Sequence, residues 1–175
     1  YEKINKVLMW ACEGVKHTNA SDIAMNAKLQ ISNGMSTSEI HQLLIKSASS
    51  LVSEENPNYQ YVASNLLNYF LRKSIFGVQD NLPHIKDVIT KNVDCGVYDS
   101  SILIDYNDDD LNKINKFIKH SRDYKIAYGG LQQMIDKYLV KDRTNGKIYE
   151  TPQYMYMLIA MTKFAKNDPE SRISR

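Results

Sequence analysis

Residues 34–46 read GMSTSEIHQLLIK and residues 57–77 read PNYQYVASNLLNYFLRKSIFG. The first stretch predicts a helix whose opening turn carries the hydroxyls of Ser36, Thr37 and Ser38, with His41 one turn further in. A helix start offers unpaired backbone N–H groups and the positive end of the macrodipole, so it attracts phosphate. The second stretch predicts an amphipathic helix that carries Tyr69 and Lys73 at i, i+4, hence on one face. A ring can receive a base or sugar and an ammonium a phosphate, so the two elements brought together would hold a nucleotide. Lys3 lies on the first predicted helix, with Ile4 beside it facing the bundle.

Each of these residues has a plainer reading. Ser36-Thr37-Ser38-Glu39 has the form of a capping box, which makes Ser36 the N-cap and Thr37 an ordinary first-turn residue. Tyr69 fits a core ring, Lys73 a solvated cation and His41 a surface or core histidine. Spacing alone leaves both sets of readings open. The other histidines, His17, His84 and His120, do not pair with one another or with His41 at metal-ligand spacing. The sequence has no Walker loop, no G-x-G-x-x-G, no Ser-His-Asp order and no C-x-x-C. Asn107-Asp108-Asp109-Asp110 lacks the glycine and distal glutamate of a calcium loop, and reads as carboxylates at a helix start.

The elements that must position these groups are mostly helices. Seven Gly and four Pro in 175 residues imply long uninterrupted elements. Ile4, Val7, Leu8 and Ala11 share one face of a first helix that Gly14 stops. A second helix is expected from Ser21-Asp22 to Ile31, a third from Ser36 to about Val52, and a fourth from Pro57 to Gly77. The fourth is expected to bury Tyr61, Val62, Leu66, Tyr69, Phe70 and Ile75. Four helices with short connections predict an antiparallel bundle over residues 1–78, with a hinge at 78–82. Beyond it, helices are expected over 83–94, from Asp99 to Tyr106, after Asn107, over 123–137 and from Thr151-Pro152. A small β-hairpin is expected around Asn145-Gly146. The fold class is therefore mainly α, with residues 79–175 as a second, helical domain.

The totals exclude several classes. Apolar residues at 43% and charged residues at 24% are those of a folded globular chain. A net charge of +2 gives no strong pull on nucleic acid or membrane, and neither is expected as a partner. No apolar run is long enough to span a bilayer, and no signal peptide is evident. Cys12 and Cys95 are far apart and lack metal-ligand neighbours; both are expected as small buried apolar residues in a reducing cytoplasm. Tyr1 opens inside a helical pattern, so further residues are expected upstream.

KVLMWACEG at 6–14, GMSTSEIHQLLIKSA at 34–48 and NPNYQYVASNLLNYFLRKSIFG at 56–77 resemble the ATP-cone of the large subunit of class I ribonucleotide reductase. The likeness continues through GVYD at 96–99 and HSRDYKIAYGGLQQMIDKYLVKDRTNGKIYETPQ at 120–153, which resembles the helical domain that precedes the catalytic barrel. Its flavour is bacterial and T-even-like phage, and it covers nearly the whole chain.

That resemblance implies a truncated four-helix ATP-cone at 1–78 and a helical domain with one small β-hairpin at 79–175. It implies part of an enzyme that reduces ribonucleoside diphosphates, with ATP or dATP and Mg2+ at an overall-activity site. It places Lys3 and Ile4 where the first helix faces the nucleotide, Thr37 at the phosphate-contacting helix start, and His41 near the sugar and phosphates. Tyr69 takes the aromatic position and Lys73 that of a phosphate-binding lysine. Implied partners are the catalytic barrel, a second large subunit, a metal-containing small subunit, and thioredoxin or glutaredoxin. The catalytic cysteines of the family lie in the barrel, and Cys12 and Cys95 do not match them. The family's opening hairpin, with its K-R-D-G turn, is not among the 175 residues and is expected upstream of Tyr1, and Asn65 stands where the bacterial enzymes usually have an arginine. Phage relatives can carry cones that no longer switch activity. The alternative from another class is a non-enzymatic cone module, or a structural remnant with a dead cone.

Overall fold

The computed structural model describes residues 2–28 and 30–167. Tyr1, Leu29 and residues 168–175, which include the outer ends of the two expected domains, lie outside the described residues. The described chain is mainly α. It runs through α1 (Glu2–Cys12), α2 (Ala20–Lys28), α3 (Thr37–Ser50), α4 (Tyr59–Phe76), α5 (Ile85–Asp94), α6 (Ser101–Asp105), α7 (Asp108–Phe117), a 3-10 turn (His120–Lys125), α8 (Tyr128–Lys137) and α9 (Pro152–Phe164). It divides into two compact units. One is residues 1–71 with 124–133, and the other is 72–123 with 134–175.

In the first unit the helix ends follow local chemistry. Gly14 ends α1 at φ 73°, a backbone region that only glycine enters at little cost. The cap of α2 is Asn19, whose Oδ1 accepts from Ser21 N at 2.9 Å, so this helix starts before the Ser21-Asp22 pair expected to open it. The start of α3 is as expected: Ser36 Oγ accepts from Glu39 N at 3.2 Å, and Glu39 Oε2 accepts from Ser36 N at 2.7 Å. That reciprocal pair holds the Glu39 carboxyl below the usual carboxylate range. Helix α4 starts two residues later than Pro57, because residues 57–58 form a preceding turn in which Pro57 O accepts from Gln60 N.

The first core collects Leu8, Ala11, Ile23, Ala27, Leu43, Leu44, Ala48, Val62, Ala63 and Leu66. Helix α2 packs against both α1 and α3. The buried face of α4 is Tyr59, Val62, Ala63, Leu66, Leu67 and Leu71, and Tyr61 is exposed. The expected inward placement of Tyr61 is thus corrected: the buried arc of α4 runs through Val62, Ala63, Leu66 and Leu67 and leaves Tyr61 outside it. Ser64 Oγ donates to Ile126 O at 2.6 Å, and Leu131 is fully buried, which anchors the returning segment 124–133.

In the second unit Ile85, Val88, Ile89, Tyr106, Leu111, Ile114, Ile118, Tyr154, Leu158 and Met161 form one core. His84 caps α5 through Nδ1, which accepts from Lys86 N at 3.2 Å. Asp99 Oδ1 accepts from Ser101 N at the start of α6. Asn107 caps α7, whose first turn carries Asp108, Asp109 and Asp110. The helix expected over 123–137 is two elements, the 3-10 turn and α8, because Asp123 turns inward and is fully buried. The expected hairpin is reduced to one antiparallel bridge, Lys141 to Ile148. The Asp142 carboxylate accepts from Thr144 N, Thr144 Oγ1 and Asn145 Nδ2, so a side chain organises that turn. Cys95 is exposed, against the expected burial, because it lies past the last turn of α5; Cys12 is partly buried, which pushes its thiol up.

Candidate functional site

Thr37 is the first residue of α3 and is exposed. Its carbonyl oxygen lies 3.2 Å from His41 Nδ1, which fixes the imidazole against its own helix one turn inward. The ring of His41 stacks on that of Tyr69 from α4, with centroids 5.3 Å apart and planes 15° apart. Phe70 lies beside it, tilted, at 5.8 Å. The capped start of α3 and the aromatic face of α4 therefore meet, and their meeting point is a half-buried stack rather than a sealed core.

Trp10 of α1 extends this stack, which the sequence reading missed. Its ring packs on Tyr69 at 5.6 Å and meets Tyr124 edge-on at 5.7 Å. The signal was present: Trp10 is the chain's single tryptophan and lies next to the apolar stripe of α1. Aromatic faces carry negative quadrupole charge and receive planar or cationic groups well.

The other expected site residues are placed as follows. Lys3 is an exposed residue of α1. Ile4, partly buried, lines a groove of about 430 Å³ between α1 and α2, together with Ala24, Met25, Lys28 and Ile31. Lys73 is an exposed residue in the last turn of α4, four residues on from Tyr69 and in the length of chain assigned to the second unit. Asn65 Nδ2 donates to Ala11 O at 2.9 Å and ties α4 to α1.

The second unit holds its polar groups differently. Arg72 Nη2 donates to His120 O at 2.6 Å and pairs with Asp123 Oδ2 at 3.3 Å. Burial pushes Asp123 up to about 6 against the pull of Arg72, and burial together with Arg72 pushes His120 down to about 4. Glu150 accepts from Tyr98 Oη at 2.6 Å and from Val140 N at 2.9 Å, and burial pushes its carboxyl up. Among the described residues no group of three His, Cys, Asp or Glu is placed to hold a metal ion. No helix among them is long and apolar enough to cross a membrane.

Two protein families match parts of this chain. Residues 1–74 match the ATP cone domain family, and residues 124–174 match the family described as ribonucleotide reductase, all-alpha domain. The chain is 37% identical over 172 residues to ribonucleoside-diphosphate reductase 1 subunit alpha of Escherichia coli, which covers 98% of this chain and 22% of the relative. It is 39% identical over 172 residues to the ribonucleoside-diphosphate reductase subunit alpha of Enterobacteria phage T4, again with 98% and 22% covered. The corresponding Helicobacter pylori subunit is 34% identical over 169 residues, with 96% and 21% covered. The chain thus spans about a fifth of the length of these relatives.

Proposed function

The chain belongs to the family of ribonucleotide reductase large subunits, and from that premise we propose that it serves as the N-terminal regulatory and scaffold part of a ribonucleoside-diphosphate reductase alpha subunit. Residues 1–78 act as the ATP-cone and residues 79–175 as the helical domain that leads into the catalytic barrel. The whole enzyme reduces ribonucleotides to deoxyribonucleotides for DNA replication, in the cytoplasm of a bacterium or a phage-infected host. It works as a large-subunit dimer with a metal-containing small subunit, and thioredoxin or glutaredoxin supplies its electrons. The likeness of residues 124–174 to the reductase all-alpha domain favours this reading over a free-standing cone module.

The observation that carries it is the stack of His41 on Tyr69 beside the capped start of α3. ATP or dATP binds there as effector. Thr37 and the free N–H groups of the helix start receive phosphate, and His41 lies near the sugar and phosphates. Tyr69 flanks the ligand, Lys73 neutralises phosphate charge, and Lys3 and Ile4 contribute from α1. Mg2+ accompanies the nucleotide, carried on its phosphates. An effector shifts an enzyme between states only through unequal affinity for them, so the site regulates by distinguishing ATP from dATP.

Calorimetric titration of the full-length subunit tests this. Lys73→Ala weakens ATP or dATP binding by about 1–3 kcal/mol, the worth of one charge-assisted contact. Unchanged affinity removes Lys73 from the site, and absence of binding by the unmodified subunit leaves the cone a structural remnant.

A further inference from the structure

A cavity of about 760 Å³ opens on the first unit between the end of α1, the turn that follows it, the start of α4 and residues 124–125. None of Thr37, His41, Tyr69 or Lys73 lines it. Its volume lies in the range of small-molecule sites. Trp10, Tyr61 and Tyr124 give it aromatic walls. Tyr61 remains 36% exposed there, although a tyrosine on an amphipathic helix would ordinarily turn to the core.

The charges at the rim are uncommitted. Lys16, Lys125 and Glu13 line the cavity, and none of the three side chains makes an ion pair or hydrogen bond among the described residues. Two ammonium groups against one carboxylate leave one net positive charge. The rim is also fixed in place. Asn58, which lines the cavity, donates through Nδ2 to Lys16 O at 2.9 Å. Thr18 Oγ1 donates to Val15 O, and Tyr59 Oη accepts from Asn19 N while donating to Asp22. His17 is held at φ 57°, a left-handed conformation that a non-glycine residue keeps only where its surroundings impose it. A rigid turn that presents unpaired cations over aromatic walls is organised before any ligand arrives, and such preorganisation lowers the entropic cost of binding.

We propose that this groove is a second ligand site, which shares Trp10 with the α3–α4 stack but none of Thr37, His41, Tyr69 or Lys73, and that it takes a small singly charged aromatic anion. The ring packs among Trp10, Tyr61 and Tyr124. The anionic group lies between Lys16 and Lys125.

Trp10 is the only tryptophan in the chain; because its ring packs on Tyr69 as well as lining the groove, its emission is followed both without nucleotide and with the α3–α4 site already saturated with ATP. The 175-residue chain is titrated with phenylpropionate, with the neutral phenylpropanol and with the ringless hexanoate. The expected result is a saturable change with phenylpropionate and affinity at least about tenfold weaker for the other two, one factor of ten being about 1.4 kcal/mol. Replacing both cations, Lys16→Gln with Lys125→Gln, weakens phenylpropionate by about tenfold and leaves the melting temperature in place, because neither ammonium holds a partner. The response persists in the presence of excess ATP. A linear, unsaturable response, equal affinity for the alcohol, or unchanged affinity in the double variant overturns the proposal. Loss of the response under ATP overturns the separateness of the site while leaving the nucleotide reading intact.

Discussion

The two units treat polar side chains in opposite ways. In the second unit Arg72 and Asp123 are 3% and 0% exposed and face each other, and Glu150 is enclosed by Tyr98 and the Val140 amide. In the first unit the groups at issue are half-buried rings between α3 and α4, and the exposed Lys16 and Lys125 around the groove beside Trp10. Buried and mutually paired groups fix a backbone, and removing one partner strands the other in low dielectric. Half-exposed rings beside a helix start and uncommitted lysines leave room for something else to complete them. The contrast fits the proposed roles, with most of the proposed ligand contacts in the first unit and the buried paired charges in the second.

The severest challenge to that contrast is Asp123→Ala. It leaves the Arg72 guanidinium buried without its carboxylate and is expected to cost about 3–5 kcal/mol, read as a shift in the denaturant midpoint at unchanged slope. A loss below about 1 kcal/mol, the scale of an exposed ion pair, would erase the distinction. Ser36→Ala removes one half of the reciprocal cap on α3 and is expected to cost about 0.5–2 kcal/mol. Its sharper reading is in the ligand: nucleotide affinity falls with it if the start of α3 receives phosphate, and stays put if the cap is only structural.

The smallest effect is in pH dependence. His120 has a folded value of about 4 against the usual 6.5, so the folded state sheds a proton and stability falls as pH drops from 6.5 towards 4. Asp123 has a folded value of about 6 against 3.8, so the folded state keeps a proton and stability falls as pH rises from 3.8 towards 6. The two slopes oppose each other over nearly the same window. Between about pH 4 and 6 these two groups together therefore add little net slope to the melting temperature of the unsubstituted chain. His120→Gln should expose the Asp123 slope, a melting temperature that declines as pH rises. A profile parallel to that of the unsubstituted chain would remove His120 from the balance.

What the sequence made legible was local. The Ser36–Glu39 cap, the Asn107 start, the Pro152 start and the glycine stops depend on residues a few positions apart, and each appears where spacing put it. The burial of Leu8, Leu43, Leu66 and Leu158 followed from helical periodicity. What was not legible depended on distant partners. Nothing within reach of Asp123 in sequence tells of Arg72, 51 positions away, yet that pairing turns the expected helix over 123–137 into a 3-10 turn and a shorter helix. Tyr61 and Tyr69 both belong to the apolar set read from the sequence of α4, and only the rings of Trp10 and His41, which come from other helices, make Tyr69 the one that stacks. Trp10 escaped notice because its significance lies in Tyr69 and Tyr124, both far along the chain.

The first unit is assembled from two separated lengths of sequence, and the second piece, 124–133, brings the fully buried Leu131 and the carbonyl that receives the Ser64 hydroxyl. No single cut can therefore release it whole. A fragment ended near residue 78 would keep all four of its long helices and still lack a plug and a hydrogen-bond acceptor. Insertions, fusions or circular rearrangements of this subunit keep its ligand-recognising part intact only if both lengths stay on the same molecule.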